Sequence, residues 1–244
     1  MRTGPVTFFS FLSLFAIAAA GMAAPAAAGF QPTRPAWGGF YMGVQGGYGW
    51  GETTTVESPD NAAPYNGAGN SWTGDSEGML GGLHMGVDWE SYALILGVEL
   101  AGGYLAVEGA AADPNSSGLD TVALGGNGYY GEITGRIGFA PDRMLYYMKG
   151  GAAFADLGLE VTDGCSIDPC DPATIAASDD GIRDGWTMGA GLAYAFPNNL
   201  ALRLEYAWYE FRDVPVAGTI GADSYAWEQD VNFQTVTLGL SFLF

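Results

Sequence analysis

Residues 40–50 read FYMGVQGGYGW, and in this stretch large apolar side chains alternate with small or polar ones. Met42, Val44 and Trp50 stand at even positions, whereas glycine and glutamine fill most of the odd ones. Successive side chains of a β-strand point to opposite faces, so this period of two predicts a strand with one apolar and one polar face.

Seven further segments of roughly ten residues show the same alternation. After residue 28 the chain has no apolar run of about 18 residues, so it offers no candidate for a membrane-spanning helix. The apolar faces of the further segments lie in 83–89, 94–100, 133–139, 144–154, 186–194, 200–208 and 236–244.

The connections between these eight segments alternate in length. Residues 90–91, 141–143 and 197–199 are predicted to form short turns, because Pro, Asn, Asp and Ser favour turns. Long polar stretches, at 52–77, 106–128, 157–184 and 212–232, are predicted to be loops. This order is typical of an up-and-down barrel with both chain termini on one side.

The polar faces decide between a soluble sandwich and a membrane barrel. They are rich in glycine and carry few charges, while the apolar face continues through all eight segments. A sandwich would place its charges outside, whereas a closed barrel in lipid turns its apolar face outward and leaves no backbone group unpaired. The sequence therefore predicts an all-β fold, an eight-stranded antiparallel up-and-down transmembrane β-barrel.

Composition excludes several other classes of protein. The 244 residues carry 8 Lys and Arg against 27 Asp and Glu, a net charge of −19, which argues against nucleic-acid binding. Lys149 is the one lysine, so the chain has few basic residues to cover exposed helices, and an ordinary helical cytosolic enzyme is not expected. The hydrophobic fraction of 48% argues against disorder.

The first residues are typical of an export signal. Arg2 precedes an apolar run of about 15 residues, shorter than the ~20 of a spanning helix, and small residues follow up to Ala28. We expect a signal peptide at 1–28, a short N-terminal segment at 29–36 and the barrel at 37–244; a retained anchor is the alternative.

Cys165 and Cys170 occur as CSIDPC in a predicted loop. Zinc sites need more ligands than this pair, and His84 is the single histidine. In an exported chain a small disulfide-closed loop is expected, with two free thiols as the alternative.

The polar faces place several ionisable side chains inside the barrel. Isolated buried charges are costly, so we expect these side chains to pair and fill a narrow lumen, although a selective aqueous pore is the alternative. The expected lumen charge network is Asp88, Glu99, Glu132, Arg136, Lys149, Arg203 and Glu205.

We expect no catalytic, cofactor or metal site. His84 points inward and is the lone candidate base, with Ser241 as a lumen-facing candidate nucleophile. Acidic residues are frequent in 156–184, but they do not have the spacing of a calcium-binding loop. That divalent ions bridge this region to lipopolysaccharide phosphates is a hypothesis.

Several segments resemble the small outer-membrane β-barrel proteins of alphaproteobacteria, a porin-like surface-antigen family related in architecture to the OmpA barrel. The opening residues 37–51 resemble the family's first strand, and 185–192 and 198–206 its sixth and seventh. The final Phe244 resembles the terminal aromatic by which the outer-membrane assembly machinery recognises its clients, although Leu243 replaces the usual basic residue before it.

The resemblance implies a location in the outer membrane, with short turns in the periplasm and long acidic loops outside the cell. The expected function is structural, in envelope integrity and surface interaction. A small diffusion channel and a barrel that binds haem or a hydrophobic molecule are the alternatives. The expected partners are membrane lipids, lipopolysaccharide, the assembly machinery and an unidentified partner of the loops.

Overall fold

The computed structural model describes residues 37–58, 71–112, 120–125, 127–156, 159–164, 175–179, 181–220 and 223–244. The expected signal peptide (1–28), the segment 29–36 and the Cys165–Cys170 pair lie outside these residues. No helix in the described ranges is long and apolar enough to cross a membrane. The strands are β1 (Gly39–Glu57), β2 (Ser71–Ser91), β3 (Leu94–Ala112), β4 (Asp120–Gly125), β5 (Gly128–Phe139), β6 (Met144–Asp156), β7 (Leu159–Gly164), β8 (Ile175–Asp179), β9 (Ile182–Ala195), β10 (Leu200–Ile220) and β11 (Asp223–Leu243).

The long strands close into a ring in which each strand pairs antiparallel with both of its neighbours. The order around the ring is β1, β2, β3, β5, β6, β9, β10 and β11, and β11 returns to pair with β1. Closure leaves no free sheet edge in this ring, which is the condition for crossing a bilayer with strands. The predicted eight-stranded antiparallel barrel is confirmed.

The predicted long loops are wrong in extent, because strands continue well into them. The β1–β2 ladder runs to the Val56–Ser71 pair, and the β10–β11 ladder to the Ile220–Asp223 pair. Short strand β4 pairs with the last residues of β3, 109–112, β7 pairs with β4, and β8 pairs with β7. In these extensions the polar side chains face outward, as Glu228 and Asp230 do, while Trp227 and Val231 face the lumen, so an outward apolar face no longer marks the strand.

The short turns lie at the opposite end of the barrel from these extensions. Tyr92, Asp142 and Asn199 adopt φ of 60°, 55° and 61°, in the left-handed region. The predicted turn at 90–91 is wrong by two residues, since Ser91 still pairs with Leu94 and the turn comprises Tyr92 and Ala93. Asn and Asp favour the left-handed conformation and Tyr does not, so the residue types at 92–93 gave no indication that the turn lies there.

Side chains on the outer face of the barrel form an apolar band. Leu83, Ile137 and Leu238 are 58%, 53% and 55% exposed, values that suit contact with lipid but not a soluble core. Aromatic side chains lie at both ends of this band, and Trp208 among them is half-buried. The exposed aromatic residues near the turns include Trp89, Tyr92, Phe139, Tyr146, Phe196 and Phe244, and those at the other end include Trp50, Tyr104, Phe154 and Trp186.

The lumen is filled in three layers, and β10 contributes to each of them. Ala201 lies in an apolar layer near the turns, Arg203 and Glu205 follow in a charged layer, and Phe211 belongs to a second apolar layer beyond it. The expectation of a polar lumen is therefore wrong at both ends. The lower apolar layer comprises Trp37, Ile95, Ala140, Leu145, Tyr147, Ala193, Ala195 and Ala201; the upper comprises Trp72, Leu80, Val107, Tyr130, Ala153, Ala155, Ala207, Tyr209, Phe211, Trp227, Val231 and Phe233.

Candidate functional site

The charged layer collects side chains from five strands around the ring. β2 and β3 supply one carboxylate each, β5 and β10 supply one acid and one base each, and β6 supplies the lysine. Successive side chains of a strand point to opposite faces, and each of these side chains occupies a position that faces the lumen. All are at most 8% exposed: Asp88, Glu99, Glu132, Arg136, Lys149, Arg203 and Glu205.

Glu99 lies at the centre of this layer and is fully buried. The Arg203 guanidinium donates to both of its carboxylate oxygens, from Nη1 to Oε2 at 2.7 Å and from Nη2 to Oε1 at 3.0 Å. Arg136 Nη1 and Lys149 Nζ each lie 3.5 Å from one of these oxygens. Three basic side chains thus surround one carboxylate, which compensates for its removal from water.

Lys149 joins three carboxylates. Its Nζ lies 2.5 Å from Glu132 Oε1, 2.6 Å from Glu205 Oε1 and 3.5 Å from Glu99 Oε1. These three carboxylates each offer an oxygen within 4.8 Å of the others, which is close enough to hold a metal ion. The ammonium contacts all three, so the chain supplies its own cation at this position.

A second ion pair lies beside this cluster. Arg136 donates through Nε to Asp88 Oδ1 at 2.8 Å, and its Nη2 contacts the other carboxylate oxygen. The guanidinium carbon also lies 4.3 Å from the ring centroid of Tyr41 and 5.2 Å from that of Tyr147. Cation–π contact is strongest when the partners are removed from water, as they are here.

Tyrosine hydroxyls complete the hydrogen bonding of the carboxylates, and the sequence reasoning missed them. Tyr41 donates to Glu99 at 2.8 Å, Tyr147 to Glu205 at 2.7 Å and Tyr209 to Glu132 at 2.9 Å. The alternation contained this information, because each of these tyrosines occupies a strand position whose side chain points into the lumen. Four carboxylates face three basic side chains, and the hydroxyls supply the further donors.

Inward-facing glycines make the space that these long side chains occupy. A Cβ added to Gly97 would lie 2.0 Å from Asp88 Oδ1, and one added to Gly86 would lie 2.3 Å from the Tyr41 hydroxyl. At Gly239 the added atom would lie 2.7 Å from Arg203 Cγ. The glycines thus allow charged and aromatic side chains to lie flat against the neighbouring strands.

A family model described as "Outer membrane protein beta-barrel domain" matches residues 13–244. The chain belongs to this family. The 31 kDa outer-membrane immunogenic protein of Brucella melitensis is 28% identical over 210 residues, covering 85% of this chain and 84% of the relative. The 22 kDa outer membrane protein of Rhizobium leguminosarum is 26% identical over 217 residues, covering 87% and 82%.

The fold of this outer-membrane protein is shared with a solved structure. Outer membrane protein OprG from Pseudomonas aeruginosa matches with a TM-score of 0.50 at 11% identity, covering 85% of this chain and 97% of OprG. The resemblance to alphaproteobacterial outer-membrane barrels and the location in the outer membrane are confirmed.

In this outer-membrane barrel, the structure also brings the candidate base and nucleophile together. His84 Nε2 lies 2.7 Å from Ser241 Oγ, and the two side chains are only 1% and 5% exposed as whole residues. Within the described part of the chain, His84 Nδ1 has no hydrogen-bond partner, so no carboxylate orients the ring there. A Cβ on Gly43 would lie 2.6 Å from His84 Nε2, which leaves little space beside the pair for a substrate.

Phe244 lies at the turn end of the outer-membrane barrel. Its backbone N–H donates to the Phe40 carbonyl at 2.9 Å, and its ring centroid lies 5.3 Å from that of Phe40. The ring remains 65% exposed. The backbone of Phe244 is thus held by the closing strand pair while its side chain faces outward.

Proposed function

We propose that this outer-membrane barrel is a sealed membrane anchor that supports envelope integrity and presents its long hairpins outside the cell. The observation that carries this proposal is the filled lumen. Glu99 and Lys149 in the charged layer are 0% and 5% exposed, and Ile95 in the lower layer is 0% exposed, so these described side chains leave no water-filled path through the two layers. A diffusion channel would need such a path, and eight-stranded barrels have interiors just wide enough for side chains.

The lower apolar layer supports the same proposal. Trp37 is 3% exposed, and its indole Nε1 donates to the Asp142 carbonyl at 3.4 Å. The backbone N–H groups of Trp37 and Gly38 both donate to Glu90 Oε2, at 2.9 and 3.2 Å. These bonds hold the indole in the end of the barrel near the turns, so ions would meet a second barrier there.

The proposed arrangement in the cell follows the general rule for bacterial barrels, with short turns in the periplasm and the extended strands outside. Residues 1–28 would be removed as a signal peptide, and Phe244 would be read by the assembly machinery. Carboxylates on the outward wall, such as Glu52, Asp75 and Glu77, would then lie near the lipopolysaccharide head groups. Lipids and lipopolysaccharide are the proposed partners of this wall.

Conductance measurements test the proposal directly. We expect the purified, folded protein to give no channel events in planar lipid bilayers, with a diffusion porin prepared in the same detergent as the positive control. Deletion of the gene should increase sensitivity to detergents and bulky antibiotics, and a plasmid copy should restore resistance. Steady channel events, or an uptake defect without a change in resistance, would favour the diffusion channel instead.

A further inference from the structure

The upper apolar layer borders unfilled space next to the charged layer, and this space is partly open. The cavity has a volume of about 50 Å³. Its walls include the rings of Phe211 and Phe233 and the aliphatic side chains of Leu80 and Val107. Closely packed protein interiors contain few voids larger than a water molecule, so a cavity of this size is unusual for the interior of a barrel.

Two tyrosines separate this cavity from the charges below it. Tyr130 and Tyr209 line the cavity. The Tyr209 hydroxyl donates to Glu132 at 2.9 Å, and the Tyr130 hydroxyl accepts from Gln45 Nε2 at 3.1 Å. Their polar atoms are therefore already bonded, and their rings contribute apolar surface to the cavity.

The remaining lining offers little to an ion or to a strongly polar molecule. None of the described residues that line the cavity carries a charge, and the aliphatic hydroxyls come from Thr53, Ser76 and Thr235. Small-molecule sites are mainly apolar with a few polar groups that fix orientation. Water needs two to four polar partners, whereas apolar cavities stay dry and take up apolar guests.

The geometry points to a binding site in the outer half of the barrel for one small, uncharged apolar molecule, a hydrocarbon of a few carbon atoms. The volume sets the upper limit, because an engineered cavity that holds benzene measures about 150 Å³. A macrocycle such as haem is excluded by the same comparison. The charged layer seals the barrel below, so the guest enters and leaves on one side only.

Xenon is a suitable probe, because it is uncharged, apolar and known to enter dry cavities. The experiment uses the full folded barrel in lipid nanodiscs with labelled methyl groups, under increasing xenon pressure. We expect saturable shifts of the Leu80 and Val107 methyl resonances. Ile95 and Leu145 report on the lower layer, where they are even more deeply buried than Leu80 and Val107, and should not shift. Absent shifts, or shifts of equal size in both layers, would overturn the site.

A cavity-filling variant provides the matched control. Ala155 is 1% exposed and lines the cavity, while Ala152 on the same strand faces outward. Ala155→Leu should abolish the saturable shifts and Ala152→Leu should preserve them. Thr53→Leu, also in the lining, replaces Ala155→Leu if that variant does not fold, as judged by gel mobility before and after boiling. Shifts that persist in a folded, cavity-filled variant would refute the proposal.

Discussion

At the scale of single residues, the charged layer is stable because acidic and basic side chains are buried in contact with one another. The Lys149 side chain is fully buried and contacts Glu99, Glu132 and Glu205, so its single positive charge offsets part of the negative charge of three carboxylates. Removing one partner of a buried ion pair leaves the others uncompensated in a medium of low polarity. The layer therefore depends on its single lysine far more than an exposed ion pair would depend on either partner.

Lys149→Met should test this dependence, since it keeps the length of the side chain and removes the charge. We expect a loss of about 3–5 kcal/mol in the free energy of unfolding, measured by urea titration in micelles. Arg212 is the matched control, because its side chain is 68% exposed and pairs with Glu210. Arg212→Met should cost less than about 1 kcal/mol. Equal effects of the two substitutions would contradict the account of the charged layer.

Glycine supplies the second test at this scale. A Cβ on Gly191 would lie 2.4 Å from the Tyr147 ring, which fills the lower layer, whereas one on Gly135 would meet no atom within 4 Å. We expect Gly191→Ala to cost about 1–3 kcal/mol through overpacking and Gly135→Ala to cost nothing. Urea titration measures both, and Gly191→Ala combined with Tyr147→Leu should cost less than the sum of the two single substitutions if the clash is the cause.

At the scale of elements, alternation was sufficient to predict the eight strands of the ring, and inward parity proposed a set of lumen charges. They were not sufficient to predict which charges meet. Glu99 and Arg203 are 104 positions apart, and their contact depends on the stagger of strands around the closed ring, which local sequence does not encode. The ends of the strands were also missed, because the polarity of the two faces is reversed there: Trp227 and Val231 face the lumen, and polar side chains face outward.

The extension of β10 and β11 beyond the lipid band has a measurable consequence. Hydrogen bonds of the ladder reach the Ile220–Asp223 pair, with one irregularity between Phe211 and Val214. We expect slow amide exchange in 226–231 for the protein in lipid nanodiscs, although this segment lies in a polar stretch. Exchange as rapid as in a peptide of the same sequence would contradict the strand assignment.

At the scale of the whole molecule, the lumen contains two barriers in series. The charged layer joins β2, β3, β5, β6 and β10, while the lower layer brings Trp37 and Tyr147 together near the turns. Ions that pass one barrier still meet the other. We therefore expect no single substitution to open the lumen, because its closure depends on two layers of side chains and not on one residue.

Conductance of combined variants tests this arrangement. Glu99→Ser with Arg203→Ser removes an acid and a base together, and Trp37→Ser with Tyr147→Ser opens the lower layer. We expect neither pair to conduct alone in planar bilayers and all four substitutions together to give small channel events. Retained mobility differences before and after boiling would verify folding. Conductance by the first pair alone would show that the lower layer is no barrier, and a silent, folded quadruple variant would show that the upper layer closes the lumen by itself.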